Sequence, residues 1–172
     1  MSAQPPERVT SLTGVADAPL HVVLIEPAIP PNTGNVARLC AATGCALHLI
    51  EPLGFSIDDR ALKRAGLDYW HHVRVVVHAS LDAFLAAFPA DRCWWIETTA
   101  TRSYADAAFA RGDALVFGPE TGTIPPALLG AHAARALRIP MRDETVRSIN
   151  LSTSVGIVTY AALARIGFPG LA

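Results

Sequence analysis

The chain has 172 residues, 51% of them apolar and 17% charged, with a formal net charge of −1 at neutral pH. That length suits one domain, and the apolar fraction is enough for a packed core and excludes a disordered chain. The near-zero charge excludes the basic whole-molecule field of many nucleic-acid binders, so an RNA site must be a local patch.

Residues 1–18 are rich in Pro, Ser, Thr and Ala without apolar periodicity, and are expected to form a loose extension ahead of a single domain over 19–172. From His21 the run Val22-Val23-Leu24-Ile25 is short, β-branched and continuously apolar, the pattern of a strand buried on both faces of a parallel sheet. A Pro/Gly/Asn loop over Pro27–Gly34 follows, and Val36, Leu39 and Cys40 then fall at helical spacing before Gly44 stops the helix. Further strands are predicted at Ala46–Ile50, Val73–Val77, Cys93–Glu97, Ala114–Phe117 and Ala136–Ile139. Helices are predicted at Asp58–Ala65, at Leu81–Phe88 with Ser80 as its cap, and at Leu151–Ile166 with Asn150 or Ser152 as its cap. This alternation predicts an α/β sandwich with a mostly parallel sheet.

No apolar run reaches the roughly 18 to 20 residues that span a bilayer, and residues 1–18 lack the apolar stretch of a secretory signal, so a cytoplasmic protein is expected. Cys40, Cys45 and Cys93 are odd in number and form no C-x-x-C pair, which argues against both a disulfide framework and a zinc site and for buried thiols. His71 and His72 are adjacent rather than spaced for one helix face, so no metal is expected there. Trp94 and Trp95, in an apolar strand, read as core or dimer contacts. All the basic residues except Lys63 are arginines, which suit bidentate phosphate contacts but equally reflect compositional bias.

Three loops follow strand C-termini, where open parallel sheets place ligands. The first, Glu26–Arg38, puts Asn32, Asn35 and Arg38 at the mouth of a helix, a place suited to an anion; turn or cap roles and a solvated arginine are the alternative. It contains neither G-x-G-x-x-G nor G-x-x-x-x-G-K-[ST], which weakens dehydrogenase and kinase readings. The second, Phe117–Pro125, carries two Gly and two Pro and can wrap closely around a ligand; Glu120 either bonds a ligand, fixes the neighbouring loop or faces solvent. The third, Ile139–Ser152, leads into the last helix, with Ser148 and Asn150 as caps or as site residues.

These loops resemble the three motifs of the SPOUT superfamily of RNA methyltransferases, in particular its ribose 2′-O-methyltransferases, over roughly residues 20 to 170. Pro30-Pro31-Asn32-Thr33-Gly34-Asn35 with Arg38-Leu39-Cys40, followed by Arg64-Ala65-Gly66-Leu67-Asp68-Tyr69, is similar to the small members that methylate the wobble nucleotide of certain tRNAs. The resemblance implies a three-layer fold with a deep C-terminal trefoil knot that holds S-adenosylmethionine. It implies cofactor contacts at Glu97, Thr98, Gly118, Ile139, Met141 and Ser148, and functional roles for Asn32, Arg38, Glu120, Ser148 and Asn150. It further implies a homodimer. The sequence departs from the family at Gly122-Thr123, where relatives usually carry Arg-Gly.

Methyl transfer from a sulfonium is an in-line displacement that needs no metal, so the protein must align the 2′-oxygen and raise its nucleophilicity. A guanidinium pKa above about 12 leaves almost no neutral arginine at pH 7, so Arg38 is expected to stabilise the developing alkoxide and grip a phosphate. Arg60, Lys63, Arg64, His71, His72, Arg74 and Arg102, beside Tyr69 and Trp70, are expected to contact substrate, or else to be a solvated face. The expected reaction is methylation of the ribose of nucleotide 34, cytidine or a modified uridine, in the anticodon stem-loop of leucine tRNAs. The alternatives are another tRNA or ribosomal RNA site, or a knot-fold RNA binder without turnover.

Overall fold

The computed structural model describes residues 12–57, 69–142 and 144–172. The helix predicted at Asp58–Ala65, and with it Arg60, Lys63 and Arg64, lies outside the described residues.

Seven strands form one sheet in the order β3-β2-β1-β6-β4-β7-β5. They are β1 (His21–Ile25), β2 (Ala46–Ile50), β3 (Val75–His78), β4 (Cys93–Ile96), β5 (Arg102–Ser103), β6 (Ala114–Phe117) and β7 (Ala136–Arg138). Every pairing among them is parallel, with Val22 opposite both Leu47 of β2 and Leu115 of β6. Continuously apolar strands require cover on both faces, and alternate residues supply it. Val22, Leu24, Leu47, Leu49, Trp94, Ile96, Leu115 and Phe117 pack against helices α1 (Pro30–Thr43) and α4 (Leu151–Arg165) through Val36, Cys40, Val155, Val158 and Leu163. Val23, Ile25, Ile50, Trp95 and Val116 pack on the other face against α2 (Leu81–Ala87) and α3 (Pro126–Ala131) through Phe84, Leu128 and Leu129. The three predicted layers are therefore present, each fully buried Val, Leu or Phe contributing roughly 1.5 to 3 kcal/mol.

Strand boundaries shift by one or two residues from expectation, and β5, too short to leave an apolar signature, was not anticipated. Three other expectations are corrected. The loop predicted through Gly34 ends at Pro30, where α1 begins. Proline in the first turn sacrifices no helical hydrogen bond and has its φ set in advance, so Pro30-Pro31 starts the helix rather than delaying it. Asn32, Thr33 and Gly34 are thus buried helical residues. The expected stop at Gly44 is present, with a left-handed φ of 71°. Second, the segment before His21 is not wholly loose: from Leu12 to Val15 it forms a turn of 3₁₀ helix, and Val15 and Ala18 are buried against Ala46 and Val76. Asp17 pairs with Arg74, which also donates to the Gly44 carbonyl at 3.1 Å. Third, Trp70 is 8% exposed and part of the core, so it is no stacking platform.

Both predicted caps form. Ser80 Oγ accepts from the Ala83 amide at 3.1 Å, and Asn150 Oδ1 accepts from the amides of Ser152 and Thr153 at 2.9 and 3.3 Å. Beneath α2, His21 Nδ1 lies 2.9 Å from His48 Nε2, and His48 Nδ1 lies 3.0 Å from His78 Nε2, with Phe84 and Phe88 edge-on to the rings. Burial holds all three imidazoles below their usual pKa, His21 at about 4. All three cysteines are buried thiols, and burial raises that of Cys93 to about 12.

Candidate active site

The order of the sheet reverses around β1, β6 and β4, and in open parallel sheets ligands gather at strand C-termini beside such a reversal. A cavity of about 770 Å³ lies there, at the ends of β4, β6 and β7. Its floor is apolar, from Ile96, Phe117, Ile139 and Leu151, and the polar wall comes from the three loops. Asn32, Glu97, Thr98, Gly118, Glu120, Ile139, Met141, Ser148 and Asn150, all anticipated from sequence, line this one cavity. Arg38, Tyr69 and His71 do not.

Glu120 joins the second loop to the first. Its Oε2 accepts from the backbone amides of Ala28 and Ile29 at 2.6 and 3.0 Å, and its Oε1 accepts from Asn32 Nδ2 at 2.8 Å. A carboxylate at the start of α1 is also favoured by the unsatisfied amides and dipole there. Of the roles open to Glu120 in the sequence, the structure therefore shows the fixing of the neighbouring loop. Since a carboxylate only accepts, Asn32 must turn its amide nitrogen to Glu120 and its oxygen away. That oxygen accepts from Asn150 Nδ2 at 3.0 Å, while Asn150 Oδ1 takes the helix-cap amides and Ser152 Oγ at 2.7 Å. One directional chain, Glu120 to Asn32 to Asn150 to α4, thus connects all three loops.

Glu97 braces the second loop from below. Its Oε2 accepts from the Ile124 amide at 3.0 Å and its Oε1 from the amide and hydroxyl of Thr98 at 2.8 and 3.1 Å. The loop turns tightly beside it: a Cβ on Gly118 would sit 3.1 Å from Ile124 Cγ1 and 3.4 Å from Glu97 Oε2. Ser148, by contrast, is exposed at the rim.

The expected substrate-contacting residues divide. The Arg38 guanidinium lies 4.9 Å from the ring centroid of Tyr69, itself 38% exposed, outside the cavity on the outward side of α1. His71 and His72 are exposed beside them with rings 3.9 Å apart. Arg74 and Arg102 are corrected: Arg74 is committed to Asp17 and Gly44, and Arg102 donates to the carbonyls of Ala134 and Asp106 at 2.9 and 2.5 Å and lies over Trp94. Arg147, Thr121 and Thr123 line the cavity and were not singled out in the sequence as site residues. Their only signal was membership of the second and third loops. Among the described residues, no group of three or more His, Cys, Asp or Glu side chains is arranged to hold a metal ion, and no helix is long and apolar enough to cross a membrane.

Residues 19–160 match the model of the SpoU rRNA Methylase family. The chain belongs to the SpoU methylase family. It is 48% identical over 151 residues to a Saccharophagus degradans protein named tRNA (cytidine(34)-2'-O)-methyltransferase, covering 87% of this chain and 97% of that one. A solved structure concerned with 2-OH methylation of C/U34 on tRNA superposes with a TM-score of 0.74 at 45% identity, covering 87% of this chain and 97% of that chain. The AdoMet-bound rRNA methyltransferase of Sinorhizobium meliloti shares the SpoU fold at 19% identity with a TM-score of 0.76, covering 91% of this chain and 61% of that one.

Proposed function

We propose that the chain methylates the ribose 2′-hydroxyl of nucleotide 34 of tRNA, cytidine or a modified uridine, with S-adenosylmethionine as methyl donor. The observation that carries this reading is the convergence of the three loops on one cavity, latched through Glu120, Asn32 and Asn150, in a chain of 48% identity to a relative named for that reaction. The cavity suits the donor. Its floor is apolar enough for an adenine, and Gly118, whose missing Cβ lets Ile124 pack close, is part of the lining. In this reading the backbone at Gly118, Ile139 and Met141 and the hydroxyl of Ser148 hold the donor. Glu97 and Thr98 act on it through the wall they brace.

When bound, S-adenosylmethionine would supply a methyl on a sulfonium for in-line transfer to the 2′-oxygen, the C–S bond breaking to leave a neutral thioether and the hydroxyl proton passing to solvent. The chain's own contribution is alignment and electrostatics. Asn32, Glu120 and Asn150 fix the wall against which the ribose is seated. Arg38, held on Tyr69 outside the cavity, faces the RNA; as a permanent cation it grips a phosphate, without acting as a base, and its place outside the lining corrects the expectation that it stabilises the developing alkoxide in this cavity.

The finer parts of the reading have separate supports. A trefoil knot in the C-terminal half is supported by the path from β7 back to Asn32, where Asn150 bonds before α4 packs beside α1. A homodimer is supported by exposed Tyr160 and Phe168, 47% and 41% accessible with rings 6.4 Å apart. An unpaired anticodon loop of a leucine tRNA, met in the cytoplasm, suits exposed Tyr69 as a stacking partner, next to exposed His71; contacts from Arg60, Lys63 and Arg64 remain part of this reading on the sequence alone.

The test is incubation with methyl-labelled S-adenosylmethionine and unmodified leucine tRNA, followed by digestion and mass spectrometry of the nucleosides. A 2′-O-methyl at nucleotide 34 is the expected result. Label at another tRNA or ribosomal RNA site overturns the substrate, and absence of both label and donor binding overturns the enzyme.

A further inference from the structure

Among the described residues, the charged side chains lining the cavity are Glu97, Glu120 and Arg147. Glu97 and Glu120 each accept three hydrogen bonds from the protein, filling most of their lone-pair sites, and as carboxylates they can only accept, so neither can bind an oxyanion. Arg147 differs: no described residue hydrogen-bonds or ion-pairs with it, and its side chain is exposed at the rim. Two further exposed arginines do not line the cavity: Arg38, which lies on Tyr69, and Arg142, next to the lining residue Met141. An uncommitted guanidinium at the mouth of a cavity is a site for an oxyanion.

Its place on the chain narrows which oxyanion. Arg147 is three residues before Asn150, whose side chain is tied to both Asn32 and the start of α4, so its backbone is anchored within about 10 Å of the latch. A ribose carries its 3′-phosphate on the oxygen of C3′, the carbon next to the C2′ that bears the 2′-oxygen. A nucleotide that points its 2′-oxygen into the cavity therefore brings that phosphate to the rim. We propose that Arg147 binds the phosphate 3′ to the methylated ribose, an inference that rests on the RNA-methylating reading of the site. It sets the register of the RNA strand over the cavity and contributes to substrate binding in the ground and transition states alike.

The experiment compares the full chain with its Arg147→Gln and Arg147→Lys variants; the residue is exposed and has no hydrogen-bond or ion-pair partner among the described residues, so neither change disturbs the core. Three quantities are read: tRNA affinity across a salt series, donor affinity by calorimetry, and kcat and KM with tRNA. Losing one phosphate contact lowers the slope of log affinity against log salt by about 0.7 to 0.9. Arg147→Gln is expected to show that drop and a KM for tRNA about tenfold higher, with kcat and donor affinity unchanged. Arg147→Lys keeps the charge and restores the slope. A fall in donor affinity at unchanged slope assigns Arg147 to the donor carboxylate and overturns the proposal, as does no change in either. A wild-type chain that binds neither donor nor tRNA instead removes the reading on which the proposal stands, an outcome visible before any variant is made.

Discussion

Glu120→Gln is nearly isosteric, yet the direction of the hydrogen-bond chain makes it costly. The amide has one accepting oxygen where the carboxylate has two. If that oxygen keeps the amides of Ala28 and Ile29, the new nitrogen faces Asn32 Nδ2, donor against donor. Asn32 escapes by flipping, but then points its nitrogen at Asn150 Nδ2; if Asn150 flips in turn, it points a nitrogen at the Ser152 and Thr153 amides and the cap of α4 is lost. One junction fails wherever the chain relaxes. A broken hydrogen bond at a partly buried site costs about 2 kcal/mol, which for a domain of this size is a Tm lower by roughly 4 to 8 °C. Turnover should fall on the order of 10²-fold, since the loops no longer share one alignment. Asn150→Ala alone should cost about 2 kcal/mol from the cap and the bond to Asn32. With Asn150 gone, Asn32 flips freely and the Glu120→Gln penalty shrinks. Urea unfolding of the two single variants and the double variant should therefore show a coupling of about 1 kcal/mol. Additivity within about 0.5 kcal/mol would refute the directional chain.

The buried histidines make stability depend on pH. Their folded pKa values lie below the unfolded value of about 6.5, so between that value and the folded pKa the unfolded chain binds more protons, and stability, full above pH 6.5, falls as pH drops toward about 4. Each histidine that stays neutral costs up to about 1.4 kcal/mol per pH unit across that window, and urea midpoints that are flat from pH 7.5 to 5 contradict the neutral chain. Gly54→Ala places a Cβ 2.6 Å from Ala28 Cα and 2.7 Å from its carbonyl oxygen, so the first loop must move; thermal unfolding should show a loss of about 1 to 3 kcal/mol and assays a lower kcat, while an unchanged Tm shows that the loop yields freely. Arg38→Lys removes the planar fork from Tyr69, and kcat/KM with tRNA should drop at least about tenfold at unchanged donor affinity; full retention of turnover removes the need for a guanidinium.

The strands, the three layers and the three ligand-facing loops were legible in the sequence, because a parallel sheet covered on both faces demands continuous apolar runs, and runs such as Val22–Ile25 and Ala114–Phe117 have no other stable place. Gly44, Ser80 and Asn150 were legible too, since caps and left-handed turns are decided within a few residues. What Pro30-Pro31 does was misread because the same residues that break a helix interior start a helix at its first turn, and only the burial of Asn32, Thr33 and Gly34 in the fold decides between them. The partners of Glu120 were beyond reach: Ala28, Ile29 and Asn32 lie some 90 residues away in the chain, and no local pattern encodes a contact at that separation. The same holds for the arginines. Composition leaves Arg74, Arg102 and Arg147 indistinguishable, and only the folded chain decides that the first two are spent on Asp17 and on backbone carbonyls while the third, without a partner among the described residues, lines the cavity.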